Sequence, residues 1–517
     1  MGEPRRTRRG TRFSPWESFI SWQPDQLTAL GFKVHQTAVS LEELVEAAEA
    51  GKGDGDGGGG ETTRAEESDD DEVVSPTDIS RCTSPEPFHL PALATPRAST
   101  SFAPPVSPPA QSPPPEPSHQ DLRKKSYNKQ RRQRKRQLDA ASPFTHKLNL
   151  KSIPTHNIVR AHRVKLDASE LKTTKGGHYL GHRDPPKPKP KGRDDSARWA
   201  DLRLRKLREL VELGHIHVKW DGKGTLLILD RTGRIIVVFV GGPDDPDWPS
   251  VVEDATVALD RAREEGISTD AFASDAGLHR RGRFLTLKSG VSHGTGQKHP
   301  KNVDIPSAKK RLVDALLEHQ SIRRICGFQS SAFRTWAPKL FKDYVSDLRS
   351  LFENDPNLKL NFTNSIFPSV TFNLGPQSAS FEHIDDLNRA LGWCAITNGG
   401  HFDSTRSALL YLRELNLIVD FPSAATSFIP SAVVHHGNTP LAPHETRYSI
   451  TQYAAGGLFR YVNYKFRTAN QVLAAGGEEL KQSLDGLPGE RHKRGVELFS
   501  KPESLIADHI ACFSKSK

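Results

Sequence analysis

The chain has 517 residues, enough for two or three domains on length alone. Only 35% of it is hydrophobic, against roughly 45–50% in globular chains on a count that includes glycine, so a sizeable part is expected not to fold. A net charge of +10 and a pI near 9.3 favour an acidic partner such as nucleic acid. Four cysteines, Cys82, Cys326, Cys394 and Cys512, lie far apart with no C-x-x-C pair. That spacing argues against a cysteine zinc site and a disulfide framework, and fits a reducing compartment. No opening stretch has the apolar core of a signal peptide, and no run approaches the ~18 apolar residues of a membrane span. The expectation is a soluble, intracellular protein.

Residues 1–145 are mostly biased sequence. A short apolar patch around Trp16–Phe32 and a helical-looking Leu41–Ala50 interrupt it. Gly55–Gly60, the acidic Glu66–Glu72 and a Pro/Ser tract from Ser84 to Pro117 follow. Such composition buries too little apolar surface to offset ordering entropy, so the region is expected to be disordered. Arg123 to Arg136 holds nine Lys or Arg in fourteen residues, a pattern of nuclear localisation signals and nucleic-acid arms. A basic extended linker is expected over 146–193, ending in the Pro/Lys alternation of Pro185 to Lys191, which cannot form a helix.

Order is expected from about Asp194. Over 194–368 the pattern is mixed α/β. Trp199–Leu213 carries helical spacing and ends at Gly214; strands are expected at Thr225–Leu229, Ile235–Val240 and Phe284–Lys288. Helices are expected at Val251–Glu265, Ser307–His319 and Pro338–Glu353. From Ser369 the pattern changes to short strands between turns: Val370–Leu374, Gly392–Thr397, Leu409–Leu412, Leu417–Phe421, Ser427–Ile429, Val433–His435 and Tyr448–Tyr453. Strands at this spacing suggest a sandwich or jelly roll over 369–470. A helical extension is expected over 471–517. The fold class is therefore α+β.

Chemistry concentrates between Phe381 and Tyr453. His383-Ile384-Asp385 offers an imidazole and a carboxylate at i and i+2, which an extended strand points the same way. Two imidazoles and one carboxylate on one face of an ion leave the other positions open for substrate and oxygen. A second histidine is available at His435-His436, and Arg447-x-Ser449 follows His436 by eleven residues. Alternation lets one of the two neighbouring histidines face an ion, with the other outside. Gly290-Val291-Ser292-His293-Gly294 matches a hydrolase elbow, but the run Thr295–Pro300 breaks the helix that an elbow needs.

Several stretches together carry a resemblance. They are Arg281-Gly282-Arg283-Phe284, Ile322–Phe328, Phe372-Asn373-Leu374-Gly375-Pro376, Gly392–Thr397 and Glu445–Tyr453. From about Gly282 to Phe466 the chain resembles the TET/JBP-type iron(II)/2-oxoglutarate dioxygenases, in particular the transposon-associated branch of mushroom-forming fungi. The resemblance implies a double-stranded β-helix, a jelly roll with flanking helices, holding Fe(II) and 2-oxoglutarate. It assigns His383, Asp385 and His436 as metal ligands, the last because the family pattern of His, small residue, Asn falls on His436-Gly437-Asn438. It also implies that Arg447 and Ser449 bind the distal carboxylate of 2-oxoglutarate. Asn388, in H-x-D-x-x-N, would meet a flipped base in DNA; a turn-capping asparagine is the alternative. The implied reaction converts 5-methylcytosine in DNA to 5-hydroxymethylcytosine, in the nucleus. The same chemistry on a protein, RNA or another base, or an inactive nucleic-acid-binding protein derived from a mobile element, are the alternatives. Animal relatives carry a cysteine-rich zinc region that this chain lacks, so duplex binding would use other surfaces.

Overall fold

The computed structural model describes residues 5–6, 12–13 and 159–513, except 175–176, 183–201, 244, 274–278, 280 and 295. The expectations for the rest of 1–158, including disorder, the apolar patches and the basic run of 123–136, fall outside the described residues. Within them the protein is mixed α/β, with a short antiparallel pairing of Arg5–Arg6 with Arg12–Phe13, and, in 159–513, one large sheet, one small sheet and helices against the large one.

Thirteen strands carry the two sheets. They are β1 (Val159–Arg163), β2 (Ile216–Val218), β3 (Thr225–Leu229), β4 (Ile235–Val240), β5 (Leu285–Ser292), β6 (Lys301–Asn302) and β7 (Ser369–Leu374), then β8 (Cys394–Gly399), β9 (Leu410–Leu412), β10 (Leu417–Val419), β11 (Thr426–Ile429), β12 (His436–Asn438) and β13 (Tyr448–Tyr453). The large sheet runs β1-β3-β4-β11-β8-β13-β7-β5-β6, and the small one β12-β9-β10-β2. Pairing is antiparallel except where β1 joins β3 and β2 joins β10. After β7 the chain crosses to a single bridge between His383 and His436 beside β12, returns to β8, makes β9 and β10 in the small sheet, and returns again through β11, β12 and β13. This repeated switching between two sheets is the jelly-roll pattern.

Residue chemistry explains the two faces. β3 and β4 are runs of Leu, Ile, Val and Phe buried on both sides, as central strands should be. In β13 alternate residues part company. Ser449, Thr451 and Tyr453 line the cavity between the sheets, while Gln452 turns outward to bond Gln329, Ser365 and the Cys326 carbonyl.

The outer face of the large sheet is covered by α2 (Trp248–Ser268), α3 (Ser307–Glu318), α4 (Gln320–Trp336) and α5 (Pro338–Asn354). Phe333 of α4 packs at 5.4 Å on Phe367 and 5.7 Å on Trp393, anchoring the helix layer to the strands. A short helix, α1 (Leu207–Glu212), precedes β2. The C-terminal part adds α6 (Gly456–Asn463), α7 (Ala469–Asp485), α8 (Glu490–Glu497) and α9 (Leu505–Phe513).

Four differences from the sequence reading have physical causes. Part of the supposed linker, 159–174 and 177–182, is folded: β1 joins the large sheet, and Val164, Ala168, Leu171 and Tyr179 are buried. Its apolar alternation is hidden among arginines and histidines. α4 has no counterpart in the reading, because Gly327, paired serines and aromatics dilute its helical signal. The strand expected at Val433–His435 lies three residues later, at β12. C-terminal helix begins at Gly456, ahead of 471.

Candidate metal centre

Among the described residues one group of His, Cys, Asp or Glu side chains can share a metal ion: His383, Asp385 and His436, whose ligand atoms lie within 4.8 Å of one another. Backbone pairing sets it up. His383 and His436 exchange both N–H···O=C bonds, at 3.0 and 2.9 Å, so they are directly opposite in an antiparallel pair and project to the same side. Their ring centroids are 4.3 Å apart. His383 thus sits in a single bridge, and Asp385 does not share an extended strand with it but lies in the turn that follows, where its N–H donates to the Ser431 carbonyl at 2.9 Å. The carboxylate approaches both imidazoles, Oδ1 at 3.8 Å from His383 Nε2 and Oδ2 at 3.9 Å from His436 Nε2.

Each imidazole is locked in one tautomer. His383 Nδ1 meets the Phe381 carbonyl at 2.8 Å, and His436 Nδ1 the Val434 carbonyl at 2.9 Å. A carbonyl only accepts, so Nδ1 carries the proton and Nε2 presents its lone pair to the cavity. Burial, and for His383 the neighbouring His436, hold both groups below the ordinary histidine range, so they are neutral at neutral pH. Neutral imidazole is the form that ligates a metal.

His435 points elsewhere. Its Nδ1 lies 2.6 Å from Glu414, and Arg413 packs on the same ring. Gly437 is required between His436 and Asn438, since a Cβ there would fall 2.6 Å from the buried Tyr411 hydroxyl. Asn438 pins the strand by accepting from the Ser380 N–H and donating to the Ala408 carbonyl.

The cavity has an empty volume of about 660 Å3 counting its open mouth. Arg447 stands in its wall, 3% exposed. Its Nη1 donates to the Ser378 carbonyl and its Nη2 to Asn398 Oδ1 at 2.7 Å, while its buried Nε has no partner. No carboxylate among the described residues pairs with it, and burial pushes its guanidinium down to about 10. Ser449 lines the same cavity and accepts from Asn373 at 2.8 Å. Asn388 also lines it; its amide donates to the Ser431 hydroxyl at 3.0 Å and its N–H to the Asp385 carbonyl, so it partly serves the turn that carries Asp385. The serine of the elbow-like motif ends β5, and the next described helix starts only at Ser307.

One site residue was missed by sequence reasoning. Arg281 grips Asp385 Oδ1 with Nε at 3.0 Å and Nη2 at 2.7 Å. It fixes the carboxylate's orientation from 104 positions away in the chain, a distance at which no local pattern signals contact. Its place in the Arg-Gly-Arg-Phe stretch was the one available hint.

The residues fit a divalent metal and a dicarboxylate. Two neutral imidazoles and one carboxylate converge with one open side, and a buried, acid-free guanidinium waits in the same cavity. No family model matches the sequence, and no curated protein matches it. Among solved structures the chain is similar to "NgTET1 in complex with 5mC DNA", with 14% identity over 47% of this chain and 83% of that one, at a TM-score of 0.31. It is also similar to a 2OG-Fe(II) oxygenase family oxidoreductase from Burkholderia pseudomallei, with 14% identity over 43% and 86% and a TM-score of 0.21. The third is OsALKBH1, with 11% identity over 42% and 96% and a TM-score of 0.22.

Proposed function

We propose that the chain is an Fe(II)/2-oxoglutarate-dependent dioxygenase that oxidises a methylated base in DNA, 5-methylcytosine to 5-hydroxymethylcytosine. The observation that carries this reading is Arg447: a buried guanidinium without an acid partner among the described residues, in one cavity with a His-Asp-His group. Burying an unpaired charge is costly, and a carboxylate ligand meeting the guanidinium's free edge would offset that cost.

His383, His436 and Asp385 would hold the ion through Nε2, Nε2 and a carboxylate oxygen, the 2-His-1-carboxylate set of non-haem iron sites. Bound iron would activate oxygen, which is the oxidant, and 2-oxoglutarate would supply two electrons by its oxidative decarboxylation to succinate. The chain's own residues do the positioning. Arg281 orients Asp385, and the two backbone carbonyls fix both imidazoles. Arg447 anchors the cosubstrate, with Ser449 as an additional donor. Asn388, on the cavity side of its turn, has the donor and acceptor needed to read a base edge. A base inside a duplex must be flipped out to reach such a recessed site, at a cost of a few kcal/mol. The basic charge of the chain, concentrated in Arg123–Arg136, supports phosphate contacts and action in the nucleus.

The test is anaerobic loading with Fe(II), then oxygen, 2-oxoglutarate and methylated duplex DNA, with bases analysed by mass spectrometry. Oxidised cytosine and succinate, both lost in His383→Ala, are expected. Succinate release without an oxidised base would reject DNA and keep the chemistry. Absence of both in the iron-loaded protein would reject the enzyme.

A further inference from the structure

A second cavity lies between α5, α6, α8, the 178–179 segment and the turn at 389–391, with an empty volume of about 620 Å3 counting its mouth. The residues that give it its chemistry are Tyr179, Asp343, Asp347, Arg389, Arg491 and Arg494. Three guanidiniums therefore face two carboxylates.

Arg389 is sandwiched with its Cζ 4.2 Å from the Phe459 ring and 4.7 Å from Tyr344, and it pairs with Asp343. Arg494, its side chain 70% exposed, reaches the other Asp343 oxygen at 3.2 Å from the mouth. Arg491 stacks 4.2 Å over Tyr179.

Three buried polar atoms here have no hydrogen-bond partner among the described residues: Tyr179 Oη, Arg389 Nη1 and Arg491 Nε. Tyr179 is only 4% exposed. A buried polar group left unpaired costs free energy, so such groups call for an explanation. All three can donate, and two can do nothing else. What is missing is therefore an acceptor, and beside three guanidiniums an anionic one. Nothing in the metal centre uses these groups.

We propose that this cavity binds a small soluble oxyanion of the phosphate class, either inorganic phosphate or a phosphomonoester. Its donors are Arg389, Arg491, Arg494 and the Tyr179 hydroxyl. Arg389 directly follows Asn388 in the turn that enters the metal cavity, and the Ala390 N–H donates to the Tyr179 carbonyl at 2.9 Å. An occupant would thus stiffen the backbone that presents Asn388. The site stands apart from the dioxygenase reading and is tested without iron or 2-oxoglutarate.

The experiment titrates inorganic phosphate into the full chain at matched ionic strength in chloride, read by calorimetry and thermal midpoint. Saturable binding is expected, weakened about tenfold, the effect of one lost charged or buried hydrogen bond, in both Arg494→Gln and Tyr179→Phe. Circular dichroism checks that both variants fold. Tyr179→Phe separates ligand binding from packing: if the hydroxyl is a bare buried orphan, its removal leaves phosphate binding unchanged and raises the midpoint. Absence of saturable binding, unchanged affinity in both variants, or displacement of phosphate by a short DNA duplex would each overturn the proposal.

Discussion

Replacing Arg447 by methionine, close in length but neutral, separates its two possible roles. Burial lowers this guanidinium to about 10, a depression equivalent to roughly 3 kcal/mol of unfavourable charge burial. The sign follows from which form burial disfavours. The folded state resists the charged form, so the penalty is present at every pH below about 10 and is relieved only above it. Methionine removes that penalty. It also removes the donors to the Ser378 carbonyl and Asn398, at a cost of about 1–3 kcal/mol for each acceptor left buried. The two effects nearly cancel, so the ligand-free variant should unfold within a few degrees of wild type.

Cosubstrate binding should change far more. A bidentate charged pair contributes about 1.5–3 kcal/mol per bond, so 2-oxoglutarate affinity should fall at least about 100-fold. The assay is thermal unfolding of the metal-loaded protein under nitrogen, with and without 2-oxoglutarate. Wild type at about 100 times its Kd gains about 2.7 kcal/mol; Arg447→Met should gain almost nothing. A variant that is severely destabilised without ligand, yet still responds to 2-oxoglutarate like wild type, would refute the reasoning and make Arg447 a packing residue.

Removing either inward imidazole, in His383→Ala or His436→Ala, should abolish metal uptake in a Co(II) titration. His435→Ala should retain it, because that ring is engaged by Glu414; loss in His435→Ala with retention in His436→Ala would reverse the ligand assignment. Arg281→Gln frees Asp385 to rotate and should weaken Co(II) binding by about 10–100-fold, the usual effect of losing a group that orients a ligand; an unchanged titration would remove Arg281 from the site. Burial holds His293 down to about 4. The unfolded chain therefore takes up a proton near pH 6.5 that the folded chain refuses, and stability falls as pH drops between those values. From pH 7.5 to 5 this one group should cost about 2 kcal/mol, so urea unfolding of His293→Gln should show a shallower acid slope by that amount.

The strands that could be read from the sequence are those whose residue types and burial agree. Thr225–Leu229, Ile235–Val240 and Tyr448–Tyr453 stand where the β-branched and aromatic runs place them. β12 was displaced because burial and strand part company there. Val433 and Val434 are buried in a turn, while the strand itself is His436-Gly437-Asn438, a composition typical of loops. Its place depends on bonds to His383 and Ser380 and on pairing with Leu410–Leu412, all distant in sequence. In the site, the candidate ligands could be found from short intervals, H-x-D and the eleven residues from His436 to Arg447. Arg281 could not, since nothing local ties it to Asp385. Nor could the absence, among the described residues, of an acid beside Arg447, which is a property of the whole surrounding shell.

That absence joins the two halves of the site into one physical account. A metal site that existed only for structure would need no neighbouring unpaired guanidinium, and a buried arginine that existed only for structure would be expected to find an acid. Here the imidazoles are neutral, their tautomers are fixed by the Phe381 and Val434 carbonyls, and Asp385 is held by Arg281. Little reorganisation is left for the moment of binding, which is how preorganised sites gain affinity. The stability cost falls instead on Arg447, whose charge is carried into the interior with only neutral acceptors. A dianionic ligand with one end at the metal and the other at Arg447 would satisfy both halves together. Metal and 2-oxoglutarate should therefore bind with positive coupling, each tightening the other by the same factor. Calorimetric titrations run in both orders would measure that factor, and a value of one would mean that the two halves do not share a ligand.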